Sequence, residues 1–297
     1  MPELPEVEAL ARWLDDRTRG LVVERVDLLA ISALKTFDPP LDALVGSAVA
    51  SWARRGKFLL CCTAPSADDA AGVTPPILAV HLARAGWLRW HDEVPKGPAK
   101  LGKGPQALRV RFDDGSGFTA TEAGTEKRLS VHVVRDPADI EHVRTLGIEP
   151  LDPALDDAAF SALLETQGRA QIKGVLTDQR VFAGVGNAYS DEALHLARLS
   201  PFRPASALTA DERARLRAAL VGVLAEALAR ASGKPAAELK DAKRSGMRVH
   251  GRTGERCPVC GDVVREVAFA TEAIQYCATC QTGGSPLADR RLSRLLK

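Results

Sequence analysis

The chain has no run of eighteen or more apolar residues, so no segment is expected to cross a membrane as a helix. Its start, MPELPEVEAL, turns acidic at the third residue and lacks the basic stretch and apolar core of a secretory leader. A cytoplasmic location is expected from that absence, nucleoid-associated in a bacterium. Charge of one sign is also scarce: 40 Lys and Arg stand against 38 Asp and Glu, a net of +2. That balance does not by itself point to nucleic acid. No internal repeat occurs, which excludes a stacked-repeat architecture. What remains is 297 residues, 45% hydrophobic and 26% charged, enough for two or three globular domains with real cores.

The distribution of charge says more than its sum. Residues 241–297 hold ten Lys and Arg against six Asp and Glu, so this tail is +4 and the rest −2. Such a tail reads either as a phosphate-contacting surface or as a solvated basic face. Hydrophobic spacing then divides the chain. Val7, Leu10, Ala11 and Leu14 recur at helical spacing behind Pro5, which a first turn tolerates, and Gly20 closes the run. From about 21 to 135 the pattern shortens to strands at Val22–Val26, Lys57–Cys62, Ile77–His81, Trp87–Trp90, Leu108–Phe112 and Leu129–Val134, with loops expected over 63–76 and 91–106. Adjacent Cys61 and Cys62 read as small core residues of a strand. After a connecting stretch at 137–149 the period becomes helical, with segments at 169–179 and 189–198. A capping box, Thr209 with Glu212, opens a helix whose Leu216, Leu220, Val223, Leu224 and Leu228 share one face. The expectation is an α+β multidomain chain. An N-terminal β-sandwich flanked by helices spans 1–135, a linker 136–150, a helical domain 151–250 and a Cys-rich tail 251–297.

Four motifs carry chemistry. Cys257-x2-Cys260-x16-Cys277-x2-Cys280 pairs two CxxC knuckles, each aiming two thiolates at one point, which suits one tetrahedral zinc. With no open ligand position the metal is expected to be structural; a redox or disulfide pair is the competing reading. Gly184-Val185-Gly186-Asn187 lies between two helical segments, where glycine admits a close phosphate and the next helix offers free N–H groups. A Gly-rich turn with no ligand fits equally. Arg54-Arg55-Gly56-Lys57 sets three cations before an apolar strand, as a binding loop or a solvated edge. Finally Pro2, Glu3 and Glu6 cluster within six residues. Removal of Met1 would give Pro2 a secondary amine able to attack a sugar C1′, with Glu3 moving protons. The plainer alternative is that both acids complement a helix N-terminus.

Together MPELPEVE, RRGK, QIKGVLTDQRVFAGVGNAYSDEAL, LSPFRP, VHGRTGERCPVCG and YCATCQ resemble formamidopyrimidine-DNA glycosylase and endonuclease VIII, in register and order, over essentially the whole chain. The resemblance implies a β-sandwich, a helix–two-turn–helix domain and a four-Cys zinc finger. It implies base removal followed by β- and δ-elimination on double-stranded DNA carrying a damaged base or abasic site, by a monomer. Carried over by position, Pro2 is the nucleophile, Glu3 the general acid/base and Glu6 its support. Lys57 and Asn187 hold phosphates around a nucleotide that must leave the stack. Arg252 and Arg265 are further candidates for gripping DNA.

The sequence also departs from the family. Its finger arginine aligns with Glu272, so either Arg265 or another finger residue substitutes, or DNA is gripped differently. Its wedge methionine aligns with Arg84, and its Arg-Phe pair with Arg128-Leu129. The stretch from Gly233 to Val249 is short for the loop that covers 8-oxoguanine, which leads to an expectation of a broader or pyrimidine-leaning, endonuclease VIII-like lesion range. The alternatives are a non-cutting descendant that binds damaged or structured DNA, and a zinc-ribbon factor unrelated to repair.

Overall fold

The computed structural model describes residues 1–64, 74–99, 104–269 and 273–288. The centres of the two expected loops, Glu272, and the terminal cations Arg290, Arg291, Arg294 and Lys297 lie outside the described residues. No helix among the described residues is long and apolar enough to cross a membrane. The chain forms two compact units, Met1–Thr145 with Ala231–Lys240, and Leu146–Arg230 with Asp241–Lys297.

The first unit opens with α1 (Leu4–Thr18), whose Leu4, Val7, Leu10 and Leu14 are 0–1% exposed. Each contributes about 1.5–3 kcal/mol by leaving water. Then follow β1 (Val23–Leu28), β2 (Val49–Arg55), β3 (Phe58–Thr63), β4 (Ile77–His81), β5 (Gly86–His91), β6 (Gln106–Phe112), β7 (Gly117–Glu122) and β8 (Ser130–Val134), closed by the short α2 (Glu141–Arg144). They make two antiparallel four-stranded sheets, ordered β1-β6-β7-β5 and β2-β3-β4-β8. The inner faces meet through Trp52 of one sheet and Phe118 of the other, edge to face at 5.8 Å. Cys61 is buried in this interior and Cys62 only partly.

Two strands escape the pattern reading. β2, VASWARR, is held by α1: Asp15 accepts the Trp52 N–H at 2.7 Å, Trp52 Nε1 donates to Thr18 Oγ1 at 2.9 Å, and Glu8 pairs with Arg54 at 3.0 Å. β7 completes a hairpin with β6 across Asp113–Ser116. In both, partners distant in sequence outweigh weak local propensity.

The second unit contains α3 (Asp157–Thr166), α4 (Ile172–Thr177), α5 (Asn187–Leu196), α6 (Ala210–Ala231), α7 (Leu239–Ser245), the hairpin β9 (Val264–Ala268) and β10 (Ala273–Cys277), and α8 (Ala278–Thr282). The capping box at Thr209 is present: Glu212 accepts its N–H at 2.9 Å, and its hydroxyl accepts the Glu212 N–H at 3.3 Å. Between α6 and α7 the chain makes an excursion, because residues 231–240 pack within the first unit. There Trp87 Nε1 donates to Ala236 O at 3.0 Å and the Lys240 ammonium lies 5.0 Å from the Trp87 ring.

Candidate functional site

At the start of the first unit, Pro2 is buried, and Glu3 and Glu6 are each 2% exposed. Glu3 is the N-cap of α1 and forms a reciprocal capping box with Glu6, whose Oε2 accepts the Glu3 N–H at 2.9 Å. The plainer reading of these acids, that they complement the helix, is therefore what their geometry does. The same geometry withdraws two carboxylates from water beside Pro2 and fixes their positions.

Lys57 sits in the two-residue turn between β2 and β3, where Gly56 takes φ 56° and Arg54 donates to the Gly56 carbonyl at 2.9 Å. The turn holds Lys57 at 8% exposure, beside Phe58, which lies in register with His81. Burial, helped by the charge of Lys57 and by His142 and His132, pushes His81 down to about 4.

Arg84 and Arg128 come from two connections that cross between the sheets side by side. His81 pairs with Ser130 at one end and Gly86 with Glu122 at the other. The first connection is tight: Ala83 takes φ 51°, and a Cβ on Gly86 would lie 2.0 Å from Leu82 O. Glu122 shapes the second by accepting the Arg128 N–H at 2.9 Å and the Leu129 N–H at 3.0 Å. Arg84 is exposed, and Arg128 is exposed and paired with Glu126 at 3.0 Å. Leu129 is 2% exposed, so the side chain aligned with the family's wedge phenyl belongs to the core.

In the second unit the Gly184–Gly186 turn is fastened by Gln179. Its Oε1 accepts the Gly184 N–H at 3.0 Å, and its Nε2 donates to Val185 O at 2.7 Å and Thr177 O at 2.8 Å. Asn187 begins α5 and donates to Ala273 O of β10 at 2.5 Å. Behind it lies a buried polar network that sequence reasoning missed. Lys173 donates to Asn187 O at 2.8 Å, Ser190 Oγ at 2.8 Å and Asp191 Oδ1 at 2.5 Å. Asp191 Oδ2 faces His250 Nδ1 at 2.8 Å and the Gln275 N–H at 3.4 Å. Glu192 accepts three successive backbone N–H groups, of Arg248, Val249 and His250, at 2.8, 2.8 and 2.9 Å. The available signal was the run Ser190-Asp191-Glu192 inside a helix buried on every side, since buried charge demands partners.

The four cysteines converge. Their Sγ atoms lie within 4.8 Å of one another, with Cys257 to Cys280 at 3.9 Å and Cys260 to Cys277 at 3.3 Å. Zinc–thiolate bonds of about 2.3 Å in a tetrahedron place sulfurs about 3.8 Å apart, so the set fits one zinc ion. Burial raises Cys277 to about 11 and Cys280 further, which favours the neutral thiol at both unless a cation shares the charge of the thiolate. Arg252 pairs with Glu255 at 2.7 Å and Arg265 with Asp262 at 3.8 Å, so both of these candidate cations stand next to acids.

A β-sandwich opening on a proline and two buried acids, with a helix–two-turn–helix and four-Cys finger unit, defines a class of DNA repair glycosylases. Residues 1–125 match the formamidopyrimidine-DNA glycosylase N-terminal domain and residues 146–237 the formamidopyrimidine-DNA glycosylase H2TH domain. A formamidopyrimidine-DNA glycosylase of Parasynechococcus marenigrum is 32% identical over 294 residues, covering 95% of this chain and 100% of that protein. An uncharacterized formamidopyrimidine-DNA glycosylase-like protein of Mycobacterium tuberculosis is 56% identical over 154 residues, 52% of this chain and 96% of that protein. The crystal structure of the MutM (Fpg) protein from Thermus thermophilus superposes with TM-score 0.76 at 30% identity, covering 96% of this chain and 100% of that one. The chain belongs to the formamidopyrimidine-DNA glycosylase family.

Proposed function

We propose that the chain is a bifunctional DNA glycosylase and abasic-site lyase acting on duplex DNA with an oxidised base, with Pro2 as nucleophile. The observation that carries the reading is the pair of buried acids fixed beside Pro2 at the start of α1. With Met1 removed, the Pro2 lone pair forms a bond to C1′ as the bond from C1′ to the base breaks, and the departing base takes a proton. Glu3 carries the amine proton to the ring oxygen, the ring opens, and an iminium remains. The iminium acidifies the C2′ hydrogen; its loss expels the 3′ phosphate, and a second elimination expels the 5′ phosphate. Glu6 orients Glu3 through the capping box. Lys57 and Asn187 hold phosphates flanking the flipped nucleotide, Arg84 and Arg128 face the vacated space, and Arg252 and Arg265 add phosphate contacts from the finger. Cys257, Cys260, Cys277 and Cys280 hold one structural zinc, which keeps the hairpin folded. Functional boundaries at 1–135, 136–150, 151–250 and 251–297 accompany this reading.

A second reading, a non-cutting DNA-binding descendant, draws on the pairing of Arg252 and Arg265 with acids, which weakens the finger's hold on phosphate. Borohydride reduction separates the two. Wild-type protein whose N-terminus is shown by mass spectrometry to be Pro2 is expected to form a covalent adduct with an abasic-site oligonucleotide. Pro2→Gly, which replaces the secondary amine by a primary one, should form less. No wild-type adduct, or an undiminished one from Pro2→Gly, rejects the nucleophile.

A further inference from the structure

His195 lies near the C-terminal end of α5, outside the cysteine spacing, and is 2% exposed. Its Nε2 is 3.3 Å from Cys257 Sγ, while its Nδ1 is buried with no hydrogen-bond partner among the described residues. A buried imidazole with one satisfied nitrogen needs a reason, because a packed apolar side chain would avoid the desolvation cost. The sulfur supplies it. A metal-bound thiolate carries no proton, so the hydrogen between the two atoms belongs to the ring. The neutral Nε2–H tautomer then needs no donor at Nδ1, which keeps a bare lone pair, whereas an imidazolium would bury a second N–H with nothing to receive it.

We infer that His195 is a positioning residue of the zinc centre, donating its Nε2–H to the Cys257 thiolate from the helix–two-turn–helix side. The inference rests on the zinc reading of the four cysteines. The donated hydrogen bond withdraws negative charge from a site where four thiolates meet one dication, and holds Cys257 at its place in the tetrahedron. It also makes the metal centre continuous with α5. That helix meets the tail at Asn187 to Ala273, at Asp191 to Gln275 and His250, at Glu192 to residues 248–250, and at His195 to Cys257. The first and last of these contacts lie at opposite ends of α5, so zinc occupancy and the placement of Asn187 are set by one rigid element.

The test is zinc release to a chromophoric chelator from wild type, His195→Phe and His195→Gln, with zinc content measured first. Phe fills the space without a donor; Gln restores an N–H. One zinc per wild-type chain is expected, released about 10–100-fold faster from His195→Phe, with His195→Gln returning toward wild type. Stoichiometric zinc released by His195→Phe at the wild-type rate overturns the role of His195 alone. Absence of zinc from the wild type overturns the metal reading and this inference together. Should His195→Phe not fold, cadmium-113 substitution of the wild type reads the same bond. Scalar coupling between the metal and the His195 Nε2 proton is expected, and a ring protonated only at Nδ1, or no such coupling, refutes the donor.

Discussion

Lys173 and Asp191 form a buried ion pair at 2.5 Å, with side-chain exposures of 6% and 0%. Lys173→Met removes a cation and three donated hydrogen bonds, leaving Asn187 O and Asp191 Oδ1 short of a donor and Ser190 with one contact fewer. Asp191 keeps His250 and the Gln275 N–H, so its carboxylate is not stranded outright. Breaking a buried pair by removing one partner costs about 3–5 kcal/mol, and those two surviving contacts place this case at the lower end. For a unit of this size, each kcal/mol shifts the melting temperature by roughly 2–4 °C, so the second unit should melt about 6–12 °C lower. Asp191→Leu should cost as much, since it leaves the Lys173 ammonium buried. The double variant Lys173→Met/Asp191→Leu removes both charges and should recover part of the loss, a coupling of about 1–3 kcal/mol. Calorimetry of the four proteins, with the transition of the second unit followed separately, measures the cycle. A single variant melting within about 2 °C of wild type, or strictly additive losses, refutes the account of Asp191 as a charge held by Lys173.

Two further outcomes follow from the first unit and the α6–α7 segment. His81 is held near 4 when folded against an ordinary 6.5, so only the unfolded chain gains its proton between those values. Stability is therefore full above about 7, falls by about 3 kcal/mol as pH drops through this window, and loses that slope in His81→Leu; equal slopes in acid unfolding of the two proteins would contradict it. The short stretch from Gly233 to Val249, part of which is tied to Trp87, leads us to expect better cutting of thymine glycol or 5-hydroxycytosine duplexes than of 8-oxoguanine opposite cytosine. Equal or better cutting of the 8-oxoguanine duplex sinks that expectation.

Much of the molecule was legible because its signals are local. Helical spacing from Val7 to Leu14 and the capping box at Thr209 depend on neighbours within a turn or two, and both appear in the structure. The CxxC pairs work similarly, since each knuckle aims its own two sulfurs and only their meeting needs the fold. Order and register of PELPEVE, GVGN and the cysteines were enough to reach the family. The misses share a physical cause: they depend on partners far along the chain. β2 needs α1, Leu129 is drawn into the core by Glu122, and Lys173, Glu192 and His195 acquire meaning only against Asp191, residues 248–250 and Cys257. The sequence by itself determined the domain types, the four sulfurs and the candidate amine, because each is written in residue type and spacing. Which polar side chains are buried, and what each must then hold, was decided only by tertiary structure, because desolvation is a property of the place a residue occupies.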